Sequence, residues 1–257
     1  PSQLLDRFVP LGPTGPICPA ADFIHSAPRA SLPATGLHRL LCGLPLDDFD
    51  VNAWLGIYPL HLFTSSQISR FLAAAKVPMP LPRVLDIGAG EGNVTRELRP
   101  HCQEMVASET SSGMAQRLQC LSYNVWCEDV AYTATKRVAS GEGGFSLVSA
   151  LNVLDRCAAP KQLLDAAYVL LKPPPAWMLL ATPLPFRGAY YGWKTMWSGS
   201  PVEALEFSSG KEQNCDEEKA WASQAEELVE KHLPAAGFEV TALSRLPYLC
   251  GGDAFTP

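Results

Sequence analysis

The run Arg83-Val-Leu-Asp-Ile-Gly-Ala-Gly-Glu-Gly-Asn93 constrains this chain more than any other segment. An apolar stretch ends on an acidic residue, and glycines then recur at Gly88, Gly90 and Gly92. Glycine has no Cβ and tolerates positive φ, so the backbone can turn sharply out of a strand and come close to a ligand. The rest of the sequence alternates in the same way. Strand patterns lie at 83–87, 104–109, 123–126, 145–151, 177–182 and 238–243. Helical periodicities at 94–98, 112–120, 161–171 and 220–236, the last stopped by Gly237, fall between them. Strands that are nearly all apolar, separated by helices, predict a doubly wound α/β fold with a parallel sheet covered on both faces. In such sheets ligands lie beyond the carboxyl ends of the strands, where the glycine loop sits.

Ahead of the sheet, Thr64-Ser-Ser-Gln67 offers a helix cap for the stripe Ile68, Phe71, Leu72 and Ala75, in a helix that ends before Pro78. Residues 1–50 are rich in proline (Pro10, Pro13, Pro16, Pro19, Pro28 and Pro33) and predict an extended arm or loose lid, with the α/β domain occupying 51–257. The chain opens on Pro1 without a charged and apolar leader, so a preceding piece is expected to have been trimmed. The stretch from Gly188 to Asp216 is long for a connector. Its Tyr190, Tyr191, Trp193 and Trp197 either grip a peptide or pack as a lid.

Composition removes several partners. A net charge of −6 without any basic cluster argues against nucleic acid. No apolar run approaches the ~20 residues needed to span a bilayer. The eight cysteines form no Cys-x-x-Cys pair, and no His stands at ligand spacing from one. They predict buried thiols in a reducing intracellular compartment, with no metal site.

The glycine loop admits two cofactor readings besides an ordinary turn. A dinucleotide fingerprint wants Gly-x-Gly-x-x-Gly, but its third glycine would fall on Asn93. The pattern Asp86-x-Gly88-Ala89-Gly90-x-Gly92 instead suits S-adenosylmethionine, whose cationic ammonium and sulfonium favour a carboxylate such as Asp86 nearby. Glu109, 17 residues past Gly92, ends the second strand, where a carboxylate can accept both ribose hydroxyls; the competing reading is a solvated helix start. Glu128 and Asp129 follow the third strand, where an adenine amino group needs an acceptor. The fourth strand runs into Asn152-Val-Leu-Asp155. Asn152 can hold the cofactor's amino-acid end or the acceptor, while Asp155 can take a proton, orient a nitrogen nucleophile or cap the next helix. This is not the Asp/Asn-Pro-Pro-aromatic signature of nucleobase amino methylation.

Leu151-Asn-Val-Leu-Asp-Arg-Cys157, Leu184-Pro-Phe186 and Ser244-Arg-Leu-Pro-Tyr-Leu-Cys250 with Gly252-Asp253, together with the glycine loop and Glu109, resemble the methyltransferase-like protein 9 (DREV) family over about Ile57 to Asp253. The resemblance implies a class I S-adenosylmethionine-dependent fold with an N-terminal extension, acting as a protein histidine methyltransferase. Its target would be the pros nitrogen (Nπ) of histidine in His-x-His segments with small x, and its product S-adenosylhomocysteine. It further implies catalytic roles for Asn152, Asp155 and Tyr248, with Asp155 fixing the imidazole. Arg245, Tyr248 and Phe186 would contact the substrate. The family continues into a Tyr-rich loop and a last strand that closes the sheet. With nine residues left after Tyr248, that strand is expected to be incomplete. A monomer is expected. His25, His38, His61, His101 and His232 lie at no His-x-His spacing, so automethylation is not expected. Two rival readings remain on the same fold: a small-molecule N- or O-methyltransferase, and a cofactor-binding scaffold without turnover.

Overall fold

A computed structural model of the chain describes residues 2–12, 23–25, 31–42, 44, 48–57, 59–186, 202–208 and 217–251. The readings placed on Tyr190, Tyr191, Trp193, Trp197, Gly252 and Asp253 lie outside them.

The first part of the chain holds helices α1 (Ser2–Asp6), α2 (Leu32–Cys42) and α3 (Asp48–Leu55), then the short strand β1 (Leu60–His61) and helix α4 (Ser65–Ala74). The strand–helix alternation follows: β2 (Leu81–Ile87), α5 (Asn93–Leu98), β3 (Cys102–Ser108), α6 (Ser112–Cys120), β4 (Asn124–Trp126), α7 (Val130–Ala139), β5 (Leu147–Leu151), α8 (Pro160–Leu170) and β6 (Trp177–Ala181). Helix α9 (Glu217–Glu227) continues through a π turn at Leu228–His232 to Ala235, and Gly237 then closes it at φ 87°. Strand β7 (Leu249–Cys250) is the last element.

Strands β2 to β6 form one parallel sheet in the order β4-β3-β2-β5-β6. The chain therefore starts in the middle, works outward to β4, and returns to the other side with β5. That reversal opens a crevice at the carboxyl ends, between β2 and its neighbours. Period-two alternation sends Val84, Leu147 and Leu151 to the face covered by α4 and α5, where Ile68, Leu72 and Leu98 pack. Leu85, Ile87, Val148 and Ala150 point to the opposite face, against Val130, Ala134, Leu163, Leu164 and Ala167 of α7 and α8. Both faces are thus dry, as the continuous apolar strands require.

The cap read at Thr64 is a full capping box. The Gln67 N–H donates to Thr64 Oγ1 (3.3 Å) and the Thr64 N–H donates to Gln67 Oε1 (2.9 Å). Gln67 also donates from Nε2 to the Leu11 carbonyl (2.7 Å), tying the arm down at a buried leucine.

Two expectations change. Helices α2 and α3 extend into the segment read as an arm, and α3 anchors on the domain. Asp50 Oδ1 accepts from Ser111 Oγ (2.6 Å) and the Gly113 N–H (2.7 Å) at the start of α6, and Arg117 Nη1 donates to the Ala53 carbonyl (3.0 Å). Residues 238–243 carry a strand pattern but do not join the sheet, whose order ends at β6. Leu243 pairs instead with the arm, through Val9 N–H to Leu243 O (2.8 Å) and Leu243 N–H to Arg7 O (2.9 Å). Among the described residues no helix is long and apolar enough to cross a membrane.

Thr64→Ala removes one cap acceptor and should cost about 1 kcal/mol, a drop of roughly 2–4 °C in Tm for a chain of this size. Scanning calorimetry reads it, and a change below the scan's reproducibility would show that the cap contributes nothing.

Candidate active site

Gly88, Gly90 and Gly92 all adopt positive φ (65°, 57° and 88°), which explains why the turn out of β2 is built from glycine. A Cβ on Gly88 would lie 2.5 Å from Val153 Cγ2, in the turn that leaves β5. At Gly90 the opposite holds: nothing stands within 4 Å of where a Cβ would be. The loop thus packs tightly on the exit of β5 and leaves open space at its crest.

Glu109 stands beside that space, one residue past β3. Its Oε2 accepts the Gly90 N–H (2.8 Å), and its Oε1 accepts the N–H groups of Thr110 (2.7 Å) and Ser111 (2.9 Å). Burial raises its pKa, while the N–H groups of Ser111, Gly90 and Thr110 oppose the rise. The helix-start reading goes to Ser111, which caps α6 by accepting the Met114 N–H (3.1 Å). Glu109 is left as a carboxylate at the rim of the loop, the arrangement a vicinal diol needs. Open space at Gly90 with a carboxylate on its border fits the ribose and methionine ends of S-adenosylmethionine.

Asp86 is differently placed from its expected role. It does not face the loop's open space; it is 2% exposed and turned into the sheet, where Thr95 Oγ1 donates to Oδ2 (2.6 Å) and Ser149 Oγ to Oδ1 (2.7 Å). Loss of water pushes its pKa up to about 6, against the pull of those two hydroxyls. Its work is to lock β2, β5 and α5 together beneath the glycine loop.

Of the two carboxylates after the third strand, Glu128 is committed elsewhere. Arg137 clamps it in a fork, Nε to Oε1 at 2.7 Å and Nη2 to Oε2 at 3.0 Å, and lies 4.5 Å over the Trp126 ring. That hydrogen-bonded pairing holds the Glu128 pKa below its ordinary value. Asp129 caps α7 through Oδ1, which accepts the Ala131 N–H (3.0 Å). An adenine acceptor role at Glu128 is therefore withdrawn.

At the carboxyl end of β5, Asn152 is 6% exposed with φ 59°, a left-handed conformation that asparagine tolerates better than most residues. Its N–H bonds to the Ala181 carbonyl (2.8 Å). Such a conformation at a site stores local strain that the surrounding packing must hold. Asp155 follows in the same turn and does not cap a helix, since α8 begins at Pro160 with Ala159 as its cap position. Its carboxyl is largely buried, which raises its pKa, and Oδ1 is shut from solvent without a hydrogen-bond partner. Oδ2 lies 3.5 Å from Arg156 Nε. Arg156 in turn sits 5.8 Å over the Tyr248 ring, and burial raises the tyrosine's pKa. Asp155, Arg156 and Tyr248 thus form one cluster, of which the sequence reading had picked two members.

A cavity of about 1370 Å³ lies along the outer edge of β6, walled by α4, α9 and residues 237–248; Asn152, Arg245 and Tyr248 line it. Arg245 is held at its rim by Glu218 (2.7 Å) and by the Trp221 ring (4.4 Å). Neither Phe186 nor Asp155 is among the lining residues. The Phe186 ring is half-buried and packs on Phe207 (5.3 Å) against the core, turned away from the cavity, so a substrate contact there is withdrawn.

Several contributors escaped the sequence reading: Asp50, Arg156 and Glu91. Asp50 carried no motif, and Arg156 stood inside Leu151-Asn-Val-Leu-Asp-Arg-Cys157 without a role of its own. Glu91 was visible within the glycine loop, but only its neighbours' lack of side chains drew notice.

A family model described as DREV methyltransferase matches residues 36–256. Solved structures similar to this chain include an S-adenosylmethionine-dependent methyltransferase and proteins with S-adenosylhomocysteine bound. They include the N-methyltransferase NodS from Bradyrhizobium japonicum with S-adenosylhomocysteine (18% identity, TM-score 0.34, covering 42% of this chain and 55% of that one). The sugar N-methyltransferase KedS8 from a Streptoalloteichus species is 15% identical, with TM-score 0.38 over 46% of this chain and 47% of that one. A methyltransferase from Clostridium acetobutylicum is 19% identical, with TM-score 0.34 over 42% and 45%. The chain spans 31% to 57% of the length of the solved structures it matches.

Asp86 makes a pH prediction. Its folded pKa, about 6, lies above the unfolded value of 3.8, so the folded state holds this proton more tightly. The resulting stability is fully present below about pH 4 and is lost as pH rises through about 6, by an order-of-magnitude ~3 kcal/mol. Asp86→Asn, which can still accept one hydroxyl proton and donate to the other hydroxyl, should gain stability relative to the parent between pH 4 and pH 7. Urea midpoints at both pH values test this; an equal difference at the two would show that Asp86 is not perturbed.

Proposed function

Because the chain belongs to the DREV methyltransferase family, we propose that this methyltransferase acts on histidine in proteins, at the pros nitrogen of imidazoles in His-x-His segments with small x. The observation that carries the reading is Asp155, a largely buried carboxyl whose Oδ1 has no partner, one turn beyond the strand end that carries Asn152.

S-adenosylmethionine, when bound, supplies an electrophilic methyl on a sulfonium. The chain's residues have the remaining tasks. Glu109 would accept the ribose hydroxyls from its place beside the loop. The open crest at Gly90 leaves room for the methionine end. A neutral imidazole is already a nucleophile near neutral pH, its unperturbed pKa being about 6.5, so no strong base is required. The demand is orientation. Asp155 Oδ1 accepts the N–H of one ring nitrogen and so presents the lone pair of the other, as carboxylates fix the tautomer of metal-bound histidines. Transfer of the methyl, with the S–C bond broken as the N–C bond forms, would leave the ring cationic. The Asp155 carboxylate stabilises that charge and can take the N–H proton, passing it to water. Asn152 and Tyr248 line the neighbouring cavity beside β6, and the Tyr248 ring stands against Arg156.

The apolar walls of the cavity beside β6 favour a rival reading, a hydrophobic small-molecule acceptor. Mass spectrometry of a Gly-His-Gly-His peptide incubated with the protein and S-adenosylmethionine separates the two. The expected result is a gain of one methyl on histidine, assigned to Nπ against methylhistidine standards. Methyl transfer to small molecules alone would overturn the protein-substrate reading.

Two variants divide the roles. Asp155→Ala should lower peptide methylation by about 10²-fold or more, the scale of a lost acid–base group, with S-adenosylhomocysteine affinity unchanged within a few-fold. Glu109→Ala should instead weaken that affinity by about 10-fold or more, the worth of hydrogen bonds to a charged group. Activity of Asp155→Ala close to the parent's would remove Asp155 from the mechanism.

A further inference from the structure

We propose that Glu91 is a positioning residue that couples the glycine loop to the ribbon carrying Tyr248, so that filling the cofactor site sets the wall of the acceptor site. Glu91 stands between two glycines of a loop open to ligand, yet it turns inward and is only 8% exposed. Its carboxylate gathers contacts from three separate parts of the chain. Leu60, in β1, lines the same small cavity as Glu91, and hydrogen bonding from its backbone pulls the Glu91 pKa down against the rise that burial causes. Asn93 Nδ2 donates to Oε1 at the start of α5. Arg117 Nη2, from α6, lies 3.7 Å from Oε2 while Nη1 of the same guanidinium holds the Ala53 carbonyl of α3.

Leu60 links this cluster to the acceptor side. Strand β1 pairs with β7, Leu60 opposite Cys250, and the Gly251 N–H donates to the Pro59 carbonyl at 2.7 Å. Tyr248 is the residue immediately before β7. One buried carboxylate therefore stands between the loop that would hold the methionine end and the two-stranded ribbon that ends at Tyr248. A charge in this position is costly to bury and is held only while its donors stay in place. A shift of the loop on cofactor binding must carry Leu60 with it, or leave the carboxylate under-satisfied.

The proposal rests on the cofactor part of the reading above and not on the choice of histidine, so it is tested without a peptide. Amide hydrogen exchange of the 257-residue protein is measured with and without S-adenosylhomocysteine, whose binding is followed by calorimetry. In the parent, S-adenosylhomocysteine should slow exchange at Leu60 and Gly251 by at least about 10-fold, as expected when a local opening is coupled to a ligand. In Glu91→Ala it should still bind, within about fivefold, yet slow these two amides by less than about twofold. Glu91→Gln keeps an oxygen for the Leu60 backbone and loses the charge that attracts Arg117. It is the variant to use if truncation prevents folding, and its protection should fall to an intermediate value.

A merely structural role would lower the thermal midpoint of Glu91→Ala and leave the ligand-induced protection intact; that result overturns the proposal. So does loss of S-adenosylhomocysteine binding in a folded Glu91→Ala, which would make Glu91 a cofactor ligand. Failure of the parent itself to bind S-adenosylhomocysteine would overturn the cofactor reading together with this one, and calorimetry on the parent tells that case apart.

Discussion

A carboxylate enclosed in a dry parallel sheet must be fully hydrogen-bonded or it will not stay ionised, and at Asp86 that demand organises the site. The two hydroxyls that satisfy it come from different layers: Ser149 from the adjacent strand β5, and Thr95 from the helix that follows the glycine loop. Satisfying one side chain thus fixes the height of β5 against β2 and the place where α5 begins. The crevice at the carboxyl ends takes its shape from those two settings. Glu109 hangs from the end of β3 on one side of it, and Asn152 from the end of β5 on the other. Neither would be positioned by loop structure alone, since loops have few contacts to resist displacement.

The roof of the site is assembled from segments far apart in sequence. The β1·β7 ribbon joins residues near 60 to residues near 250, and α3 reaches α6 through Asp50 and Arg117. These contacts are polar and partly buried. Ribbon and helix are thereby held in register with the glycine loop, while the apolar core lies below it on both faces of the sheet. A division of labour follows: hydrophobic burial supplies the stability of the sheet, and directional bonds supply the geometry above it.

What could be read from the sequence was what is local. Thr64 and Gln67 are three residues apart, and their mutual bonding is written in that spacing. The glycines after β2 and the acid after β3 were equally legible, because each depends on its own strand ending there. The readings that needed correction depended on distant partners. Residues 238–243 alternate like a strand, but whether they pair with β6 or with the arm is decided by tertiary structure, and Phe8 won. Glu128 looked available for a ligand until Arg137, nine residues on, took both of its oxygens. Phe186 sat inside a recognisable motif, yet Phe207 claimed its ring. Asp50 belongs to no local pattern, and Arg156, though inside the Leu151–Cys157 motif, meets Tyr248 only in the folded chain.

The close approach of Gly88 to Val153 joins the glycine loop and the turn after β5 by direct steric contact. The two surfaces cannot drift separately through evolutionary time. A bulkier residue after Asn152 would press on the loop, and any side chain at position 88 would press back on the turn bearing Asp155. Relatives that alter one of the two positions should therefore alter the other with it, leaving a pairwise covariation between the glycine loop and the turn after β5.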